Sequence, residues 1–279
     1  KLESDLRYVY QVSKRIMAYS DNKLLWDSGE IQDRQSQRVR YAGPPLVSRQ
    51  KVTWHVEVTV HNGEGKTEKA VSVPASFEMG LLDPGDWKCR WIEPERNVDR
   101  NARKPAPYLR KTFSVRPGLK SAKVYQTAHG LYEFWINGEA GTEDRFKPGL
   151  TSYYHRIQYQ IYDITDKIVQ GENVWSVILG DGWWRGVSGG TVINNFGTKL
   201  HFYGQIELFY EDGSSETIIT DEDFRTSFGG LLASDMLMGD VFDASAEPEG
   251  WKMPGFDDSN WIPVSIAYEH TDAGLIPCR

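Results

Sequence analysis

Carboxylates are the side chains of this 279-residue chain with the most chemistry to offer. Asp257 and Asp258 stand together in FDDSNW, Glu247 and Glu249 in AEPEG, Glu143 and Asp144 in GTEDRFKPG, and Asp181 in GDGWWRG. Hydrolysis of a glycosidic bond needs a facing pair of carboxyl groups about 5 to 10 Å apart, one protonated and one not. The same residues have a plainer use. Asp and Ser side chains in FDDSNW bond local backbone amides, and EPEG reads as a Pro-Gly loop. That plainer use is the expectation, and no catalytic residue is assigned. The chain has no Gly-x-Ser-x-Gly elbow, no Walker loop and no His-Glu-x-x-His, and its six histidines are scattered, so nucleophilic, nucleotide and zinc chemistry lack a motif.

Binding a carbohydrate takes different residues: a flat aromatic face for the C–H surface of the ring, and planar donors or acceptors for its hydroxyls. Trp183, Trp184 and Arg185 offer both within three positions, between glycines that make a turn tight. In a strand or tight turn, neighbouring side chains point to opposite sides. One tryptophan is therefore expected to brace the loop from the core while the other faces a ligand. Arg185 has two uses there, donating to hydroxyls or covering an aromatic face.

The elements that must hold these residues read as strands. In KVTWHVEVTV, residues 51–60, Val52, Trp54, Val56, Val58 and Val60 alternate with polar partners, the period of a half-buried strand. Asn62-Gly63 follows as a hairpin turn, and KAVSV returns. With RYVYQV and KLLWDSGEI ahead of it, this spacing predicts a small β-sandwich over residues 1–82. Trp26 and Trp54 are assigned to its core. The stretch LLDPGDWKCRWIEPERN breaks the pattern with Asp-Pro-Gly and a charged Pro loop, as a boundary does. Beyond it YLRKTFSV, SAKVYQTA, LYEFWING, IQYQIYDIT, NVWSVILG, LHFYGQIELFY and ETIITD repeat strand signatures across turns such as Asn137-Gly138 and Asp212-Gly213. Residues 83–279, with the compact part opening near Trp87, are expected to form a larger antiparallel jelly roll. The fold class is therefore all-β.

Bulk composition narrows the function. A net charge of −7 argues against a nucleic-acid partner, because phosphate binding needs clustered Lys and Arg. No apolar run approaches the ~18 residues of a membrane span, and KLESDLRYVYQVSKR carries no signal-peptide core. Two cysteines, Cys89 and Cys278, make no disulfide framework. The unusual quantity is aromatic: 10 Trp, 14 Tyr and 11 Phe.

Several blocks in one order carry a resemblance. LLWDSGEI, YAGPPL, TWHVEVTVHNGEG and FEMGLLDPGDWKCRWIE resemble the N-terminal fibronectin-like domain of bacterial α-L-rhamnosidases. YLRKTFSV, AHGLYEFWINGE, KPGLTSYYHRIQYQIYDIT, GDGWWRG, GDVFDASAEPEGW and GFDDSNWIPV resemble the jelly-roll domain that follows it. The resemblance implies that the chain is the non-catalytic front of a polysaccharide-degrading glycosidase. In that family a helical (α/α)₆ barrel, C-terminal to these units, hydrolyses the rhamnoside with acidic residues. The partners implied are a rhamnose-containing glycan and that barrel, and export to the periplasm or outside the cell suits the parent. Some jelly rolls of the family resemble rhamnose-binding modules in which calcium helps hold the sugar. The oxygen-rich positions for such an ion are Glu143 and Asp144 in one loop and Asn194 and Asn195 in GGTVINNFG, with Arg145 a competing charge. A purely structural role, with exposed aromatics packed on the barrel, is the rival expectation.

Overall fold

The computed structural model describes residues 4–5, 7–94, 104–187, 192–267 and 274–278. The chain divides between Asp86 and Trp87 into two compact units. In the first, β1 (Tyr10–Ser20), β2 (Lys23–Asp27), β3 (Lys51–His61), β4 (Thr67–Val71) and β5 (Ala75–Glu78) form one antiparallel sheet. Its order is β2-β1-β3-β4, and β5 pairs with the first half of β3. The β1–β2 connection is Asp21-Asn22, both at positive φ, which gives the chain the twist a two-residue hairpin requires. The β3–β4 connection is anchored by Asn62, whose buried side chain accepts from the amides of Glu64 and Lys66 at 3.0 and 3.2 Å. Val52 and Val60 of β3 and Ala18 of β1 are buried, whereas Trp26 and Trp54 are only half-buried.

The second unit runs through β6 (Ile92–Glu93), β7 (Pro107–Val115), β8 (Leu119–His129), β9 (Leu131–Ile136), β10 (Glu139–Ala140), β11 (Arg156–Asp163) and β12 (Gly171–Gly180). It continues with β13 (His201–Tyr210), β14 (Ser215–Ile219), β15 (Arg225–Phe228), β16 (Leu231–Ala233), β17 (Val241–Phe242), β18 (Ile262–Pro263), β19 (Ser265–Ile266) and β20 (Gly274–Pro277). One sheet has the order β10-β9-β12-β7-β15-β18, and the other β19-β6-β13-β8-β11-β20 with β14 on β13. Pairing is antiparallel except between β11 and β20. The hairpin β16–β17 stands apart from both sheets.

Strand periodicity builds the core. Along β9, Tyr132, Phe134 and Ile136 are buried while Leu131, Glu133 and Trp135 are half-buried. Phe202 and Phe224 meet the buried ring of Trp175 edge-on at 5.5 and 5.4 Å, within an apolar cluster that includes Leu109, Val124 and Val177. The turn at Asn137-Gly138, with φ of 52° and 84°, connects β9 to β10. Large sequence separations between paired strands, such as β7 with β12 and β15, place loops from distant parts of the chain at the ends of the sandwich.

Candidate functional site

GDGWWRG was expected as a tight turn, and it is instead a single helical turn, α1 (Gly182–Arg185). Gly182 enters it at φ 53°, and a Cβ there would lie 2.6 Å from Leu131 Cγ, so glycine is required on both counts. Successive residues of a helix are rotated by about 100° rather than reversed. Trp183 and Trp184 consequently splay into different surroundings. Trp184 is the bracing ring: it is buried, stacks on His129 at 3.9 Å and 4°, meets Tyr153 edge-on at 5.4 Å, and donates from Nε1 to the Lys199 carbonyl at 2.8 Å. Trp183 is half-buried, packs against the core from outside and faces Phe146 at 6.5 Å. The Arg185 guanidinium is buried and donates from Nε to Asp181 Oδ1 at 2.6 Å.

Two loops fold against α1. The loop after it is tied back by the amide of Asn194 to the Arg185 carbonyl at 2.9 Å and by that of Phe196 to the Trp184 carbonyl at 3.1 Å. Asn194 is half-buried at φ 57°, and Asn195 is exposed. Between β10 and β11, Tyr153 is buried, while Tyr154 is exposed, packs on Phe196 at 5.4 Å and donates to the Asn195 carbonyl at 3.3 Å. Phe146, Leu150, Tyr154, Val192 and Ile193 are all exposed. Trp183 thus lies at one end of the sandwich with further apolar side chains on the loops around it.

Polar groups of the first loop are partly committed. Glu143 and Asp144 are exposed, and Asp144 Oδ2 accepts from the Tyr162 hydroxyl at 3.0 Å. Burial, and then that carboxylate, push the Tyr162 phenol above its ordinary range. Lys147 is almost fully buried and donates to the Asp144 carbonyl at 2.6 Å, and burial lowers its pKa against the pull of Glu133. Arg145 reaches Glu133 at 3.4 Å. Two cations therefore flank the Asp144 position. Among the described residues no group of three or more His, Cys, Asp or Glu could hold a metal ion.

Sequence reasoning missed what lies behind Trp184. The His129 ring is held between two indoles, Trp184 on one face and Trp91 on the other at 4.3 Å and 16°. Its Nδ1 is 2.9 Å from that of His201, so one donates and the other accepts. His201 lies 3.8 Å from Glu93, which pairs with Lys199 at 2.8 Å. Burial, followed by the neighbouring His201, drives the His129 pKa down to about 2. Two indole faces attract an imidazolium by up to ~2 kcal/mol each when desolvated, which opposes that shift without reversing it. No local spacing signals this cluster, since its members come from four separate segments of the chain.

Asp258, Glu247, Asp257 and Asp181 are hydrogen-bond acceptors within the fold. Asp258 accepts from the buried Arg110, whose guanidinium also donates to the carbonyls of Met253 and Phe256. Glu247 accepts from the Tyr108 hydroxyl at 2.6 Å, the Trp251 indole at 3.0 Å and the Gly230 amide at 3.0 Å. Asp257 accepts from the Ser259 amide, a local turn bond. Asp181 is occupied by Arg185.

Comparison with known proteins agrees with this architecture. The family described as "Alpha-L-rhamnosidase N-terminal domain" matches residues 118–275, and "Rha78A-like, N-terminal immunoglobulin domain" matches residues 1–83. The chain belongs to the α-L-rhamnosidase N-terminal domain family. An α-L-rhamnosidase of Formosa agariphila is 36% identical over 253 residues, which cover 88% of this chain and 27% of that protein. One from Alteromonas sp. is 31% identical, over 92% of this chain and 28% of its own length. The solved α-L-rhamnosidase of Dictyoglumus thermophilum superposes with a TM-score of 0.84 at 29% identity, covering 99% of this chain and 32% of that one. The chain therefore spans about a third or less of each of these three proteins. Its units resemble the non-catalytic N-terminal domains of those enzymes, and the all-β class read from the strand pattern is the one found. Among the described residues no helix is long and apolar enough to cross a membrane.

Proposed function

We propose that this chain is the non-catalytic front of an α-L-rhamnosidase whose hydrolytic residues lie in a helical barrel outside it, and that the second unit binds a rhamnose-containing glycan at the α1 end. The observation that carries the binding reading is the half-exposed Trp183, backed rigidly by α1 and bordered by Phe146, with the oxygens of Asp144, Asn194 and Asn195 on the neighbouring loops. An indole face of this kind suits the C–H surface of a sugar ring, and the loop oxygens suit its hydroxyls. In this reading Trp184 and Arg185 position the turn, since both are buried. A monosaccharide offers few atoms and arrives hydrated, so its Kd falls in the ~10 μM to mM range.

Calcium needs six to eight oxygen ligands. Glu143, Asp144, Asn194 and Asn195 supply oxygens, but Lys147 and Arg145 oppose a dication beside Asp144. The reading is therefore of binding that does not require the ion. Titration calorimetry with L-rhamnose, with and without calcium, tests both parts: heat that persists in chelator and disappears in Trp183→Ala supports them. No heat under either condition leaves only a scaffold role, the second reading, which the exposed apolar run after Ala233 favours.

A further inference from the structure

The hairpin β16–β17 belongs to neither sheet, and between Leu232 and Phe242 it carries six of the exposed apolar side chains found among the described residues. Leu232, Met236, Leu237, Met238, Val241 and Phe242 are all exposed, with Leu237 at 64%, Met238 at 56% and Phe242 at 59%. These side chains are presented by an ordered backbone. Asp235 accepts from the amides of Leu237 and Met238 through Oδ1, both at 2.8 Å, and from Val187 through Oδ2 at 2.6 Å. Its carbonyl takes the amide of Gly239 at 2.9 Å. Phe242 pairs with Leu231 across the hairpin and lies over Gly230, where a Cβ would come within 2.8 Å of the ring. A concentration of exposed apolar side chains on one braced hairpin is the mark of an interface. Methionines there fit an irregular partner surface, because their side chains are flexible and polarizable.

We propose that this hairpin face docks the catalytic body of an α-L-rhamnosidase polypeptide, a proposal that rests on the function assigned above. The occupant follows from length. The three relatives named above match this chain over only 27 to 32% of their own residues, so most of each lies beyond the matched part. The hairpin also adjoins α1, through the Asp181 amide on the Ser234 carbonyl at 3.3 Å and Asp235 on Val187. A body docked here sits beside the loop end that bears Trp183, so glycan held at that end is delivered next to the barrel.

The test is a chimera in which this chain replaces the matched part of the Formosa agariphila enzyme, assayed on p-nitrophenyl α-L-rhamnoside. Amide hydrogen exchange over residues 235–242 is expected to be at least tenfold slower in the chimera than in the isolated chain. Leu237→Asp with Met238→Asp should shorten the thermal half-life of the chimera's activity at least tenfold and leave the melting temperature of the isolated chain unchanged. The control Val169→Asp, also at an exposed apolar residue, should do neither. An active chimera with unchanged exchange and an unaffected half-life overturns the docking face while the assigned function stands. An unsubstituted chimera that hydrolyses nothing overturns the assigned function and the docking face with it. Dimers of the isolated chain that Leu237→Asp dissolves, with exchange over 235–242 in the chimera no slower than in the isolated monomer, assign the face to a second copy and overturn the proposal.

Discussion

Adjacent tryptophans with different duties should respond very differently to truncation. Trp184→Ala removes a ring that is 4% exposed, stacked on His129, edge-on to Tyr153 and bonded to the Lys199 carbonyl. Gly197 is pressed so closely on that indole that a Cβ would fall 2.4 Å from it, so this position has no side chain with which to fill the space. Truncation of a buried Trp to Ala costs ~3–5 kcal/mol, the upper part of that range applying where the site cannot collapse. For a domain of this size each kcal/mol lowers Tm by about 2–4 °C, so a fall of roughly 10 °C or more is expected. Trp183→Ala removes a half-exposed ring that forms no buried stack, and should cost about 1 kcal/mol. Because the chain has two units, the quantity to compare is the transition of the second, followed by urea titration with far-ultraviolet circular dichroism for each variant. Equal losses for the two variants, or a loss below about 1 kcal/mol for Trp184→Ala, would refute the assignment of bracing to Trp184.

Acid should weaken the same region. An unfolded His129 takes up a proton below pH ~6.5, while the folded one, walled in by Trp91 and Trp184 and beside His201, does not do so until far lower. The unfolded state then binds more protons, so stability is complete above pH ~6.5 and falls by up to ~1.4 kcal/mol per unit below it. Urea midpoints at pH 7.5 and 5.0 should differ more for the native chain than for His129→Phe, which keeps a stacking ring and cannot titrate; equal differences would refute this. Arg110→Met should destabilise the second unit by ~3–5 kcal/mol, because the buried guanidinium ties Asp258 and two carbonyls of the 253–256 loop to β7. A urea transition of Arg110→Met within ~1 kcal/mol of the native chain's would show that these bonds add little.

Elements whose information is local were legible in the sequence, and those assembled from a distance were not. Period two along KVTWHVEVTV and NVWSVILG, with Asn-Gly and Asp-Gly turns, marks the long strands because alternation and turn chemistry are properties of a few consecutive residues. The two-residue strands β18 and β19 carry no such pattern, since they exist only by pairing with β15 and β6. The parallel partner of β11 is equally silent, coming from the far end of the chain. At the candidate site, the need for glycine in GDGWWRG was visible and the helical turn was not, because four residues are too few to establish a 3.6-residue period.

Which of two identical rings packs inward is a tertiary decision. Nothing within GDGWWRG distinguishes Trp183 from Trp184; the difference arises where β8 ends in His129, which offers a flat, uncharged face at stacking distance to one position of the helical turn and not to the other. The face is uncharged because burial between Trp91 and the very ring it supports, followed by the neighbouring His201, disfavours the imidazolium. Bracing and burial thus depend on each other: removing Trp184 exposes the imidazole, and removing the imidazole takes from Trp184 the ring it stacks on. Trp183 inherits its orientation from this arrangement, since the rotation between successive helical residues fixes where it points once its neighbour is seated. His129→Ala should therefore disturb the sugar affinity proposed for Trp183 although it lies behind the turn: calorimetry in which that variant matches the native chain's affinity for rhamnose would show a turn oriented by its glycines alone.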